Sequence, residues 1–268
     1  MFSWLKAKRR ERALAVHALL DSEWNAALNE LPFLDHYDSV ILTRLRLLTT
    51  LFLVEKSIVS GATSGAHVLD VTPHMRILIA VQACLLIVGQ GASVVAAMTD
   101  FDGWENVVVY PGDFPRTQDF EDDAGVVHRV DEPIAGESWE GGPVLLSWPA
   151  VEAGYDESGM ALVIHEFAHK IDMLDGVVNG VPPLRGPTRS AFSTAINAAY
   201  EDFCRRVDLG EKTAVDPYAA EFIEEFFAVM CEVFFAEPEL LLHEYPTYYN
   251  VLRSYFKVDP IAGTLSDA

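Results

Sequence analysis

His165-Glu166-Phe167-Ala168-His169 lies within an apolar run from Met160 to Leu174. Ile164, Phe167, Ala168 and Ile171 recur at i, i+3, i+4 and i+7, the spacing of a helix with a core stripe. His165, His169 and Asp172 recur at i, i+4 and i+7 on the neighbouring stripe, which leaves Lys170 to face solvent. Two imidazoles one turn apart on one face can bind a single zinc ion. The glutamate between them lies beside that ion, where it can take a proton from water.

A catalytic zinc keeps one position open and takes three protein ligands. The next histidine after His169 is His243, near the chain end, so the pattern with a third histidine shortly downstream is absent. A glutamate on a following helix is the remaining choice. Asp216 as N-cap and Pro217 at the first helical position mark such a helix, expected to run from about Asp216 to Glu237. Phe222, Ile223, Phe226, Phe227, Met230, Val233 and Phe234 give it a broad apolar surface. A carboxylate held inside it needs a partner, and a metal is a good one. Glu221, Glu224, Glu225 and Glu232 are the acids it offers, and Glu225 lies deepest in the apolar run, although spacing alone leaves Glu221 and Glu224 open. Glu166 to His169 also spells the Glu-x-x-His of di-iron carboxylate proteins, but that site needs a second copy, and no other histidine here has a glutamate three residues before it.

Around the motif the chain changes character twice. Residues 1 to 60 read as helices, broken at Pro32-Phe33-Leu34 and restarted under an Asp38-Ser39 cap. Ile77 to Met98 is apolar enough to compete as a membrane span. Gln82, Gly89, Gln90, Gly91 and Ser93 interrupt it, so a buried helix that breaks near Gly89 is expected. Val107 to Tyr110 and Val144 to Trp148 read as strands, with a weaker third at Val126, Val127 and Val130. After the motif come a Gly- and Pro-rich loop from Asp175 to Pro187 and a helix from about Thr188 to Val207. The expectation is one α+β domain over residues 1–268: helices from about 10 to 100, a small sheet from about 104 to 150, and the zinc-site helices from about 158 to 237.

Composition narrows the partners. With 40 acidic and 19 basic residues the formal charge is -21, which argues against a nucleic-acid groove and against anionic membranes. Cys84, Cys204 and Cys231 are odd in number and far apart, as expected of reduced thiols. His17, Asp21 and Glu23 spoil a signal-peptide core after the basic first residues, so a cytoplasmic location is expected.

The segment from His165 to Gly176 resembles the zinc helix of the Mlc titration factor A (MtfA) family of bacterial gluzincin peptidases. Asp216-Pro-Tyr-Ala-Ala220, Glu225-Phe-Phe-Ala-Val229 and Glu232-Val-Phe-Phe235 with Pro238-Glu-Leu240 resemble later blocks of the same family. Upstream, Leu31-Pro-Phe-Leu34, Val109-Tyr-Pro-Gly112 and Gly142-Pro-Val-Leu-Leu-Ser-Trp148 match in the same order, so the resemblance covers roughly residues 10 to 256. It implies a zincin-like fold, mostly helical, with a small mixed sheet beside the zinc helix. It implies His165, His169 and Glu225 as ligands of one zinc ion, Glu166 as general base and Tyr218 as a catalytic tyrosine. Were Tyr218 on the Glu225 helix, seven residues would place both on one face, and the phenol could donate to an oxyanion. Asp172 would orient a ligand imidazole or, as a simpler role, cap the helix or face solvent. Fold-level analogy makes Val144 to Trp148 an edge strand that pairs with an extended peptide. The implied activity is zinc-dependent peptide hydrolysis, including aminopeptidase activity. The implied partners are peptide or protein substrates and an Mlc-like transcriptional repressor, and a protein that only sequesters such a repressor is the competing reading.

Overall fold

The computed structural model describes residues 2–62, 68–121, 127–154 and 161–266. The chain opens with α1 (Phe2–Val16), α2 (Asp21–Asn29), a 3-10 turn at Pro32–Leu34 and α3 (Ser39–Glu55). Asp38 caps α3, its side chain accepting from the Ile41 amide at 2.8 Å, as the sequence anticipates. Strand β1 (Ser57–Ser60) follows directly. Next come α4 (Pro73–Leu85), started by Pro73 and capped by Thr72, and the short α5 (Val94–Ala97). The apolar run from Ile77 therefore breaks before Gly91, as expected, with Ile77 to Val88 inside the core and Gly91 to Ser93 exposed. Among the described residues no helix is long and apolar enough to cross a membrane.

The middle of the chain supplies β2 (Asn106–Tyr110), β3 (Phe114–Glu121), β4 (Val127–Ile134), β5 (Gly136–Ser138) and β6 (Val144–Ser147), then α6 (Trp148–Ala153). Strands β3 and β4 form an antiparallel hairpin of their own. The main sheet has the order β1-β2-β6-β5, with β1, β2 and β6 parallel and β5 antiparallel to β6. Two expectations change here. The sheet recruits β1 from the helical first part, and Val144 to Ser147 is not an edge strand, because β5 pairs along its outer side. Each residue of β6 is buried, as an interior strand between β2 and β5 requires.

The last third holds α7 (Leu162–Asp172), α8 (Gly186–Asp208), a 3-10 turn at Pro217–Ala220, α9 (Ile223–Ala236), α10 (Pro238–Glu244) and α11 (Pro246–Phe256). A minimal antiparallel pair, β7 (Val258–Asp259) and β8 (Thr264–Leu265), closes the chain. The architecture is α+β, mostly helical with a small mixed sheet. Helix α7 is buried along its full length and packs on α4, α9 and the sheet. Phe167 anchors it from behind, with ring centroids 5.4 Å from Phe101, 5.6 Å from Trp104 and 5.7 Å from Phe52. Helix α9 is anchored by a second aromatic group, in which Phe226 meets Tyr200, Phe203 and Tyr248. The two helices that carry the site are thus fixed by separate parts of one core.

The expected helix from Asp216 is two pieces. Asp216 does cap a helical start, but that of the 3-10 turn, its carboxylate accepting from the Tyr218 amide at 2.9 Å. Phe222 is extended, at φ -144° and ψ 157°, and α9 begins after it.

Candidate metal centre

The side chains converge at the floor of a cleft of about 420 Å³. His165 and His169 reach it from α7, one turn apart. Their Nε2 atoms are 3.2 Å from each other and 3.1 and 3.4 Å from Glu225 Oε2 on α9. Four-coordinate zinc with arms of about 2.0–2.1 Å has donor–donor edges of about 3.3 Å, so these three atoms fit one face of its tetrahedron. Glu221 and Glu224 are not part of this triangle.

Glu232, one of the four acids the sequence offers on this stretch, stands behind the triangle. It accepts from His165 Nδ1 at 2.8 Å and takes a backbone hydrogen bond from Ala161 at the start of α7. A proton held on Nδ1 leaves the Nε2 lone pair aimed at the other two donors, the tautomer a metal ligand needs. Glu225 and Glu232 are seven residues apart on one face of α9, so one helix supplies a candidate donor and the support of another, His165.

The electrostatics of this point call for positive charge. Burial alone would lower the pKa of His165, but the hydrogen bonds to Glu225 and Glu232 outweigh it and raise the value to about 10. Burial would push Glu225 up, yet hydrogen bonds from His165 and His169 hold it well below the usual carboxylate range. A divalent cation meets the same demand, and the residues present fit one.

Glu166 lies beside the triangle, 4 % exposed, with its pKa raised by burial against the pull of His165 and His169. Ser138 on β5 donates towards it, Oγ lying 2.9 Å from Oε2. Tyr218 reaches the cleft from the 3-10 turn, its ring 6.3 Å from that of His165. Burial and the neighbouring Glu225 raise its pKa, so the phenol keeps its proton. The shared helix face expected for Tyr218 and Glu225 does not exist, but the extended link at Phe222 brings the two together by another route.

Two residues of α7 differ from expectation. Asp172 is fully buried and neither faces solvent nor touches an imidazole. Its Oδ2 accepts from the amides of Asn179 and Gly180, both at 2.9 Å, and folds the following loop back onto the helix. Lys170 is buried as well: its ammonium donates to the carbonyls of Trp139 and, at 2.8 Å, Gly142, in the turn between β5 and β6. Burial lowers its pKa to about 8. Among the cysteines, Cys84 and Cys231 are buried and Cys204 half-buried, all as free thiols.

A triangle of donors that could hold a metal ion, lining a cleft with a buried acid at its side, is the kind of arrangement a metallopeptidase centre uses. Comparison with known proteins agrees. The model of the family described as Glucose-regulated metallo-peptidase M90 matches residues 5–257, and the chain belongs to that family. Mlc titration factor A of Serratia proteamaculans is 35% identical over 244 residues, spanning 90% of this chain and 88% of that protein. Mlc titration factor A of Yersinia pestis (strain Pestoides F) is 32% identical over 265 residues, spanning 98% and 92%.

Proposed function

We propose that this chain is a zinc-dependent peptidase of the gluzincin arrangement, a single catalytic domain with a zincin-like fold, acting in the cytoplasm. The observation that carries the reading is the triangle of His165, His169 and Glu225 with Glu166 beside it. Bound there, zinc would supply an acidified water and a polarised substrate carbonyl. The protein's own groups do the rest. Glu166 takes the proton of the attacking water and later hands it to the leaving amine. Tyr218 donates its phenolic hydrogen to the oxygen that gains charge at the carbonyl. Glu232 holds His165 in the tautomer that binds metal.

Strand β5 replaces Val144 to Trp148 as the proposed docking edge for substrate. It lines the cleft and, among the described residues, pairs only on the side of β6, so an extended peptide can add to its outer edge beside Glu166. Aminopeptidase activity belongs to the same reading. The names of the relatives favour a second role, binding an Mlc-like repressor, and the two roles are compatible on separate surfaces.

Metal analysis and a peptide-library digestion test the reading together. The purified chain should hold one zinc ion, His169→Ala should lose it, and products trimmed from the N-terminus should accumulate only with the metal present. Unchanged zinc in His169→Ala would overturn the ligand set. Repressor binding without any cleavage would leave the sequestering role alone.

A further inference from the structure

Strand β5 meets Glu166 as well as the cleft. Gly136 and Ser138 are alternate residues of a strand and share the face turned to α7. Both lie against the same carboxylate. Ser138 Oγ is 2.9 Å from Glu166 Oε2 and 2.8 Å from the carbonyl oxygen of Glu166. Gly136 meets the opposite side: a Cβ placed on it would stand 2.2 Å from Oε1 and 2.7 Å from the carboxyl carbon. Gly136 is not among the glycines of positive φ, so what the position requires is space.

We propose that Gly136 and Ser138 are positioning residues for Glu166, one giving the carboxylate room and the other fixing its rotation. The inference rests on Glu166 being the general base. A serine hydroxyl has one hydrogen to donate and lone pairs to accept with. It donates to Oε2 of the carboxylate. Once Glu166 carries the proton taken from water, the hydroxyl can accept from the carboxyl and donate to the Glu166 carbonyl instead. One contact therefore serves both halves of the proton's path. Because the outer edge of the same strand is the proposed rail for the substrate, the register of a peptide on β5 also sets the distance from its scissile carbonyl to the base.

The full chain, loaded with zinc, is compared with Ser138→Ala, Ser138→Thr, Gly136→Ala and Glu166→Gln on one fluorogenic peptide taken from the cleaved library members. Ser138→Ala should lower kcat about tenfold, the scale of one hydrogen bond to a charged group, with KM within about twofold and zinc content unchanged. Ser138→Thr keeps the hydroxyl and should recover most of the loss. Gly136→Ala should lower kcat about 100-fold, and its crystal structure should have the Glu166 carboxylate turned away from the triangle. Parental kcat in Ser138→Ala, equal impairment in Ser138→Thr, or an unmoved carboxylate in Gly136→Ala would each overturn the inference. If Gly136→Ala fails to fold, the two serine variants still decide it. Parental activity in Glu166→Gln would instead remove the assignment of the base.

Discussion

His165, Glu166 and His169 on α7 face the same cleft as Tyr218 on the turn before α9, yet the two groups are held in different ways. The three α7 residues are 4 to 8 % exposed, and their helix is buried from end to end and backed by the aromatic cluster around Phe167. Tyr218 is 39% exposed and rides on a four-residue 3-10 turn, joined to α9 through an extended Phe222 that is 59% exposed. Packing fixes the floor before any ligand arrives; the rim turn is held by the Asp216 cap, by Ala219 in the core and by the Tyr200 hydroxyl on the Ala220 carbonyl, while the tyrosine itself stays partly exposed. Donors to a metal need fixed mutual distances. A donor to a charge that appears only during reaction can tolerate adjustment as substrate enters.

Removing the base from the fixed floor should have the largest effect. Glu166→Gln preserves shape and the contact to Ser138 but cannot take a proton, so peptide hydrolysis should fall about 10²- to 10⁴-fold with zinc content unchanged. Steady-state kinetics with metal analysis check this, and a variant as fast as the parent would dissolve the distinction drawn for the floor. Tyr218→Phe comes next. It removes one hydroxyl and keeps the ring, so kcat should fall about 10²-fold with little change in KM. A rise in KM alone would make the rim a binding surface and not a source of oxyanion stabilisation.

The sequence disclosed these two regions unequally, for physical reasons. Helix α7 repeats its apolar residues with helical period and carries its chemistry on the adjacent stripe, so both the helix and its two histidines were legible. The caps at Asp38 and Asp216 were legible too, because their side chains act within three residues. The break at Phe222 was not, since a phenylalanine before an apolar run reads as more helix, yet here it is extended and exposed. Strand β5 is Gly-Glu-Ser and has no apolar residue to announce it; it exists because β6 offers it an edge. Lys170 looked like a solvent-facing residue, but its long stem lets the ammonium reach two carbonyls from a buried position. Asp172 and Glu232 were visible as acids, while their partners, amides seven and eight residues on and an imidazole 67 residues back, were not.

Glu232→Gln sharpens the account of the floor from behind. Glutamine can still accept from His165 Nδ1 but brings no negative charge, so the imidazole becomes a poorer donor. Loss of such a support lowers metal affinity by about 10- to 100-fold. Competition with a chelator should detect that, while kcat at saturating zinc stays within a few-fold of the parent. A large fall in kcat at full metal occupancy would mean that Glu232 does more than orient a ligand.

The smallest expected effect belongs to the rim's own fastening. Asp216 Oδ1 accepts from the Tyr218 amide at 2.9 Å, a cap that closes the turn carrying the tyrosine. Such caps are worth about 1 kcal/mol, and Asn serves nearly as well as Asp. Ala219, buried in the core, and the hydrogen bond from the Tyr200 hydroxyl to the Ala220 carbonyl hold the turn as well, so Asp216→Ala should lower kcat no more than about fivefold, by populating orientations in which the phenol misses the oxyanion. Asp216→Asn should match the parent, and zinc affinity should be unchanged in both, because the donor triangle does not depend on this turn. The double variant with Tyr218→Phe should be no slower than Tyr218→Phe alone, since a cap that acts only through the phenol has nothing left to position. If Asp216→Ala weakens zinc binding as much as Glu232→Gln does, the rim is part of the floor's scaffold and the two regions are one.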